Sequence, residues 1–165
     1  PNNPSKVGFG TRVYNNLVEN NNHVNFGNPN STVGKVPQGT GMMIMTADDT
    51  EIFDNIIRGN QSVGIGLTSL YLIFPRDTVF DLGPIPERNW IHDNIMENNG
   101  YEPTGLLLEV GIPGADLLWT GEGYTNSWDQ PGASSFPPVL PSRDTPDPIR
   151  RALWRAYDIL IQALL

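Results

Sequence analysis

Residues 52–60 read IFDNIIRGN, and two related nonapeptides occur elsewhere in the chain. VYNNLVENN stands at 13–21 and IHDNIMENN at 91–99, so each copy begins 39 residues after the one before. Aligned, the copies share the pattern [VI]-x-[ND]-N-[LI]-[VIM]-x-[NG]-N. A repeat on this scale indicates stacked structural units, as in a solenoid or a propeller.

Each nonapeptide predicts two short strands joined by a tight turn. Aliphatic residues flank an Asn or Asp, residue types that adopt the left-handed backbone conformation at little cost. A glycine-led apolar stretch follows each copy, at 39–45, 64–70 and 104–110, and predicts a third strand. If 23–38 and 71–88 are inserted loops, a bare coil has about 23 residues, a usual length for a solenoid repeat.

Stacked coils place equivalent residues about 4.8 Å apart in columns. The pattern therefore predicts two apolar core columns, Val13–Ile52–Ile91 and Leu17–Ile56–Ile95. Asparagine amides stacked in this way donate to one neighbour and accept from the other. Two such ladders are predicted, one of Asn16, Asn55 and Asn94 and the other of Asn21, Asn60 and Asn99.

Composition limits the possible functions. The 165 residues suffice for one domain with its own core, and the net charge of −8 argues against nucleic acid as a partner. The chain has no cysteine, which excludes disulfides, thiolate metal sites and thiol nucleophiles. No apolar stretch reaches the roughly 18 residues that span a bilayer, and no signal peptide is visible.

The repeat resembles that of right-handed, pectate-lyase-like parallel β-helix proteins over roughly residues 8–125. It carries their I-x-x-N-x-I-x-x-N and G-[IM]-x-[IL] pattern, and IHDNIMENNGYEPTG at 91–105 is similar to a group of bacterial parallel β-helix domain proteins. The resemblance implies an all-β solenoid with long loop insertions, in the periplasm or outside the cell. Members include polysaccharide lyases, glycoside hydrolases, epimerases, adhesins and periplasmic copper-site maturation proteins, so the resemblance implies no single activity.

A third column, Glu19–Arg58–Glu97, has alternating charge. One interpretation is a surface ion ladder, worth under about 1 kcal/mol per pair. The other is a catalytic carboxylate–arginine–carboxylate site for acid–base work on a sugar.

Two further sets of residues are candidates for binding. The column Tyr14–Phe53–His92 either stacks on sugar rings or lies beneath an inserted loop. Asp48, Asp49 and Glu51 offer hard oxygen ligands that suit calcium, although adjacent Asp residues are also common turn formers. No other cofactor is indicated.

The two ends of the repeat region differ in sequence. Only 12 residues precede Val13, and none resembles a cap. Because open solenoid ends expose core and strand edges, we expect further rungs or a protein partner at the N-terminal end. We therefore predict a β-helix over 1–125 lacking N-terminal rungs, a Pro/Gly-rich wrapping tail over 126–145 and a helix over 146–165.

The terminal helix is predicted to begin at Asp147 and Pro148, residue types suited to its first positions. Helical spacing assigns one apolar face to Ile149, Leu153, Ala156, Tyr157, Leu160 and Leu164. Trp154, Ile159, Ile161 and Leu165 interrupt the opposite face. The helix either caps the last rung or inserts into a partner or a membrane surface.

Two functions follow from the sequence. The first is a non-catalytic secreted or periplasmic scaffold that acts in binding or assembly with a partner. The alternative is a carbohydrate-active enzyme, of polysaccharide lyase or glycoside hydrolase type, that acts on an extracellular polysaccharide.

Overall fold

The computed structural model describes residues 8–81 and 83–164. These residues form eleven strands and two α-helices. The strands are β1 Arg12–Tyr14, β2 Leu17–Glu19, β3 Thr40–Ile44, β4 Glu51–Phe53, β5 Ile56–Arg58, β6 Val63–Leu67, β7 Trp90–His92, β8 Ile95–Glu97, β9 Ala115–Trp119, β10 Ser127–Asp129 and β11 Ser135–Phe136. The helices are α1 Gly105–Glu109 and α2 Asp147–Leu164, and short 3-10 helices occupy Val33–Lys35 and Leu70–Leu72.

The strands form three sheets, ordered β1-β4-β7-β10, β2-β5-β8 and β3-β6-β9-β11. Every pairing between these strands is parallel. The chain visits the three sheets in turn three times, and a fourth visit adds β10 and β11 to two of them. We call one such visit a rung. This mostly β arrangement of stacked parallel sheets with a C-terminal helix is compatible with a parallel β-helix.

The three nonapeptides lie in register on successive rungs, as predicted. Ile52 pairs with Val13 on one side and with Ile91 on the other. A fourth rung follows, in which Trp128 of β10 pairs with Ile91. Strands β10 and β11 lie within the segment 126–145, so this stretch contributes to the sheets.

The corners of each rung depend on residues that tolerate a positive φ. Asn15, Asp54 and Asp93 occupy the first corner of the nonapeptide with φ between 51° and 56°. Gly59 has φ 65° at the second corner, where the neighbouring rungs have Asn. These residue types are the ones that reach the left-handed region at low cost, which explains the [ND] and [NG] positions of the repeat.

Both predicted asparagine ladders are present. The amide of Asn16 donates to Asn55 Oδ1 at 2.9 Å, and that of Asn55 donates to Asn94 Oδ1 at 2.9 Å. In the second ladder, Asn21 donates to Asn60 and Asn60 to Asn99, at 3.1 and 2.9 Å. The central members are buried. Each ladder therefore satisfies amide groups that would be costly to bury unpaired.

The ladders continue in ways that the repeat does not indicate. Gln130 Oε1 accepts from Asn94, and Asp116 Oδ1 accepts from Asn99. A third ladder joins the buried Asn89 and Asn126 at another corner, with an amide contact of 3.0 Å. These residues lie in different local sequence contexts, so alignment of the nonapeptides does not reveal them.

The predicted core column Leu17–Ile56–Ile95 is wrong. These side chains are 55%, 37% and 53% exposed, and the core positions are the next residues, Val18, Ile57 and Met96. Alternate residues of a strand point to opposite faces of a sheet. The corner between the two strands interrupts this alternation, so the second strand begins with a residue that points outward. The four-residue spacing from Val13 to Leu17 therefore does not keep both residues inside.

The glycine-led stretch 104–110 is also not a strand, contrary to the prediction. Gly105–Glu109 forms helix α1, and the third strand of this rung is β9, which begins at Ala115. Leu107 is buried with Ile112 and Leu118 in a second apolar cluster, so this insert covers the outside of β9.

The C-terminal helix packs on the last rungs through a face that only partly matches the predicted one: Tyr157 and Leu164 belong to both faces, but Trp154 and Ile161 take the places of Ile149 and Leu160. Ile161 is 2% exposed and lies in the cluster of Leu107 and Leu118, whereas Ile149 is 54% exposed. Tyr157 meets the buried Trp119 edge to face at 5.8 Å. Within residues 8–81 and 83–164, no helix has the length and apolar character needed to cross a membrane.

Among the residues that the structure describes, those at the N-terminal end of the stack leave it more open than those at the C-terminal end. Interior residues of the first two rungs, including Val13, Val18 and Met42, line a cavity of about 680 Å³. Asn16 and Asn21 are exposed, although their ladder partners Asn55 and Asn60 are buried. No described residue covers this end as α2 covers the other.

Candidate functional site

The column proposed for catalysis lies on the outer face of the sheet β2-β5-β8. Arg58 Nη2 lies 2.7 Å from Glu19 Oε2, and both side chains are more than one-third exposed. Arg58 is in register with Glu97 on the next rung. The three side chains thus form an exposed charge ladder in which the arginine is already bound to a carboxylate.

The aromatic column Tyr14–Phe53–His92 forms a stack along the rungs. The ring centroids are 5.2 and 5.3 Å apart, and the ring planes lie within 15° of parallel. The ring faces of Phe53 are therefore occupied by its neighbours. A sugar stacks on a free ring face, which this arrangement leaves only at the Tyr14 end, where Arg12 lies 5.7 Å from the ring centroid.

His92 lies inside a hydrogen-bonded network at the end of this stack. It is 7% exposed, with Nδ1 2.8 Å from Asp93 Oδ2 and Nε2 3.3 Å from Glu51 Oε1. Trp90 stacks on the His92 ring and donates to Asp129 Oδ2 at 2.6 Å. The imidazole is thus held by two carboxylates and two rings.

The acidic turn proposed for calcium is divided between two arginines. Arg88 binds Asp48 and Asp49 at 3.0 and 2.9 Å, whereas Arg12 binds Glu51 at 2.7 Å. Desolvation raises the pKa of Glu51, but hydrogen bonds from Arg12 and His92 outweigh it and lower the pKa overall. Across 8–81 and 83–164, no three His, Cys, Asp or Glu side chains are grouped to hold a metal ion.

The three misassigned aliphatic residues form an exposed apolar row on the outer face of β2-β5-β8. We call Leu17, Ile56 and Ile95 the aliphatic row. Asn15, Asp54 and Asp93 border the row at the preceding corner, and Glu19, Arg58 and Glu97 border it on the other side. The repeat places these three residues at one position, but only the structure shows that they point outward.

A further charged cluster was missed by sequence reasoning. Arg76, Glu122 and Asp158 come from the insert 71–88, the loop after β9 and helix α2, and Arg76 Nη2 lies 3.0 Å from a carboxylate oxygen of each partner. No local motif connects these positions, because their proximity depends on how the insert and the helix pack.

Comparison with known proteins yields no family-model match, no curated-protein match and no solved-structure match. The proposed function therefore rests on the geometry of the described residues.

Proposed function

We propose that this chain is a right-handed parallel β-helix that acts as a non-catalytic scaffold and binds a protein partner through the aliphatic row. The observation that carries the proposal is the exposure of Leu17, Ile56 and Ile95 on three successive rungs. Single exposed apolar residues are ordinary, but a contiguous apolar strip with a polar rim is typical of an interaction surface.

The spacing of the row favours an amphipathic helix as the occupant. Neighbouring side chains of the row are one strand spacing, about 4.8 Å, apart along the stack. The turns of an α-helix rise by about 5.4 Å, so residues i, i+3 or i+4, and i+7 of a partner helix match three successive rungs.

The border of the row favours basic residues in that helix. Asp54, Asp93, Glu19 and Glu97 lie around the row, with Arg58 as the one cation among them and already bound to Glu19. The chain as a whole has a net charge of −8, which disfavours a second copy as the occupant. A helix with an apolar stripe between Lys or Arg residues complements this surface.

The open N-terminal end is a second place at which the scaffold would contact a protein. Exposed Asn16 and Asn21 stand at the start of their ladders, above an end lined by apolar side chains. Additional β-helix rungs, or a partner that adds strands, would continue both ladders and cover this end. A periplasmic or extracellular location remains part of the proposal and rests on the resemblance of the repeat.

The proposal predicts that a designed amphipathic helical peptide of Leu and Lys binds to the aliphatic row. A matched Leu and Glu peptide should bind at least about tenfold more weakly, because the border of the row repels it. NMR titration of the isotope-labelled chain measures both affinities. The amide signals that shift with the basic peptide should belong to β2, β5 and β8.

Substitution separates this surface from other exposed apolar groups. Ile56→Ser should weaken peptide binding about tenfold through the loss of apolar contact. Val79→Ser is the matched control, since Val79 is 91% exposed and lies on the insert 71–88. Equal affinity for the two peptides, or equal losses in the two variants, would falsify the proposal.

The enzyme alternative has its own test. The lyase or hydrolase hypothesis assigns catalysis to Arg58 with Glu97 or Glu19. The enzyme hypothesis is supported if the native chain turns over a polyuronate and a folded Arg58→Ala variant does not. The ion pair between Arg58 and Glu19 favours the scaffold hypothesis, because two side chains that would have to act on a sugar are already paired with each other.

A further inference from the structure

Helix α2 has a second apolar face, which no described residue covers. It lies on the side of the helix away from Ile161 and comprises six exposed residues, Ile149, Ala152, Ala156, Ile159, Leu160 and Ala163. Ile149, Ile159 and Leu160 are 54%, 69% and 38% exposed. Spacings of three and four residues place all six in one stripe along the helix. Such a stripe, opposite a face that is already buried, is typical of a helix that packs on both sides.

The alanines of this face favour another helix as its occupant. Ala152, Ala156 and Ala163 leave room for a neighbouring backbone, and helix axes approach to about 8 Å where the side chains between them are small. The same alanines offer little apolar area to a lipid surface, and apolar burial stabilises in proportion to area.

The order of large and small residues along the face is complementary to itself. When two α2 helices cross antiparallel at Ala156, Ile149 of one copy lies opposite Ala163 of the other, because each is seven residues from the crossing point. Ala152 lies beside Ile159 of the other copy in the same way, and Ala156 meets its own counterpart. The isoleucines therefore pack into spaces that the alanines leave, as ridges pack into grooves.

The charge of α2 permits this contact, although the chain has a net charge of −8. The helix contains three arginines, Arg150, Arg151 and Arg155, and two aspartates, Asp147 and Asp158. In an antiparallel pair, the N-terminal half that carries the arginines lies beside the partially negative C-terminal end of the other helix. The excess of acidic charge in the chain therefore lies outside the contact.

The face has the size of a weak interface. Helix α2 has 18 residues, so its length is about 27 Å. Two faces of this length bury on the order of 1,000 Å² together, which is the lower limit for a specific interface. We expect a Kd on the order of 100 µM, so that the chain is monomeric at low micromolar concentrations.

We propose that two copies of this chain form a dimer through antiparallel packing of these α2 faces about a two-fold axis at Ala156. Both copies use the same surface, which is the arrangement of the commonest soluble oligomers. The interface lies on a different element from the aliphatic row, so the dimer does not depend on the proposed function.

Sedimentation equilibrium tests the association. The mean mass of the native chain should rise toward that of two chains between about 5 and 500 µM. Ala156→Glu places two carboxylates at the crossing point and keeps a good helix former, so it should weaken association at least about tenfold. Val79→Glu adds the same charge at a position that is 91% exposed on the insert 71–88, and it should leave association unchanged.

Disulfide crosslinking tests the register and the direction of the two helices. The chain has no cysteine, so a single introduced cysteine reports one position. Ala156→Cys should crosslink to itself under mild oxidation, because the two Cβ atoms meet at the axis. Gln162→Cys, on the exposed polar side of α2, should react at least about tenfold more slowly. An antiparallel pair also predicts that Ile149→Cys crosslinks to Ala163→Cys and that Ala163→Cys does not crosslink to itself.

The inference is overturned if the native chain stays monomeric up to about 500 µM. It is also overturned if Ala156→Glu associates like the native chain, or if Gln162→Cys crosslinks as fast as Ala156→Cys. Association that is lost in Ile56→Ser but kept in Ala156→Glu would assign the contact to the aliphatic row instead. A monomeric chain that binds phosphatidylcholine vesicles, and loses this binding in Ala156→Glu, would make a membrane surface the occupant of the face.

Discussion

Asn55 shows how one residue type sets the geometry of a rung. Its side chain donates to the carbonyl of Val13, to that of Phe53 and to Asn94 Oδ1, while its own Oδ1 accepts from Asn16. The residue is 1% exposed. This one amide joins three rungs, so the asparagine at this position of the repeat has a physical reason that is independent of any ligand.

We expect Asn55→Ala to lower the free energy of unfolding by about 3 kcal/mol. The substitution removes the hydrogen bonds that the buried Asn55 side chain makes with Val13, Phe53, Asn94 and Asn16, each of which contributes about 0.5–1.5 kcal/mol. Asn16→Ala is the matched control, because Asn16 is exposed at the open end of the same ladder and should cost about 1 kcal/mol. Chemical denaturation measures both values, and equal losses would show that the ladder does not account for the stability.

The ladder was predictable from sequence, but the aliphatic row was not. A ladder needs only the same residue at the same phase, and aligned nonapeptides give that directly. The direction of Leu17, in contrast, depends on whether the corner at Asn15 preserves or reverses the alternation of side chains. Spacing along the chain does not carry that information.

At the scale of elements, the strands were easier to predict than the helices. Strands repeat, so three weak patterns support one another. Helix α1 occurs once, and its sequence GLLLE reads equally well as a short apolar strand. Helix α2 is long enough to be recognised from its first turn and apolar content, but its buried face is decided by Trp119 and Leu118, which lie far away in sequence.

Two isoleucines on opposite faces of α2 test how the helix contributes to the fold. Ile161→Ala should cost about 2–4 kcal/mol in unfolding free energy, because Ile161 is 2% exposed and its removal leaves a cavity against Leu118. Ile159→Ala is the same change at a position that is 69% exposed, and it should cost under about 0.5 kcal/mol. Thermal and chemical unfolding compare the two variants. A loss at Ile159 as large as that at Ile161 would instead indicate that the outer face of α2 also packs on a partner.

On the scale of the whole molecule, the charged cluster of Arg76, Glu122 and Asp158 depends on the convergence of distant segments. Arg76 and Asp158 are 82 residues apart in the chain and share a hydrogen bond of 3.0 Å. The rung pattern predicts where the sheets run, but the insert and the helix have no repeat partner that would fix their positions. Charged sites between such segments therefore appear only in three dimensions.

The same convergence gives the molecule a specific dependence of stability on pH. Glu122 has a pKa raised by burial from 4.5 to about 7, so between these values the folded state binds more protons at this position than the unfolded state. Its contribution to stability is then complete below about pH 4.5, falls as pH rises through this window, and reaches a penalty of about 3 kcal/mol above pH 7.

We therefore expect Glu122→Gln to gain stability relative to the native chain as pH rises. The difference in unfolding free energy between the two proteins should increase by about 2–3 kcal/mol between pH 5 and pH 8, because glutamine has no proton to lose. Urea denaturation at a series of pH values measures the difference, and taking it between two proteins cancels the titration of every other group. Glu102→Gln makes the same chemical change at an exposed position and should show no such trend. A constant difference across this range would mean that Glu122 is ionised at neutral pH without penalty, and that Arg76 alone neutralises it.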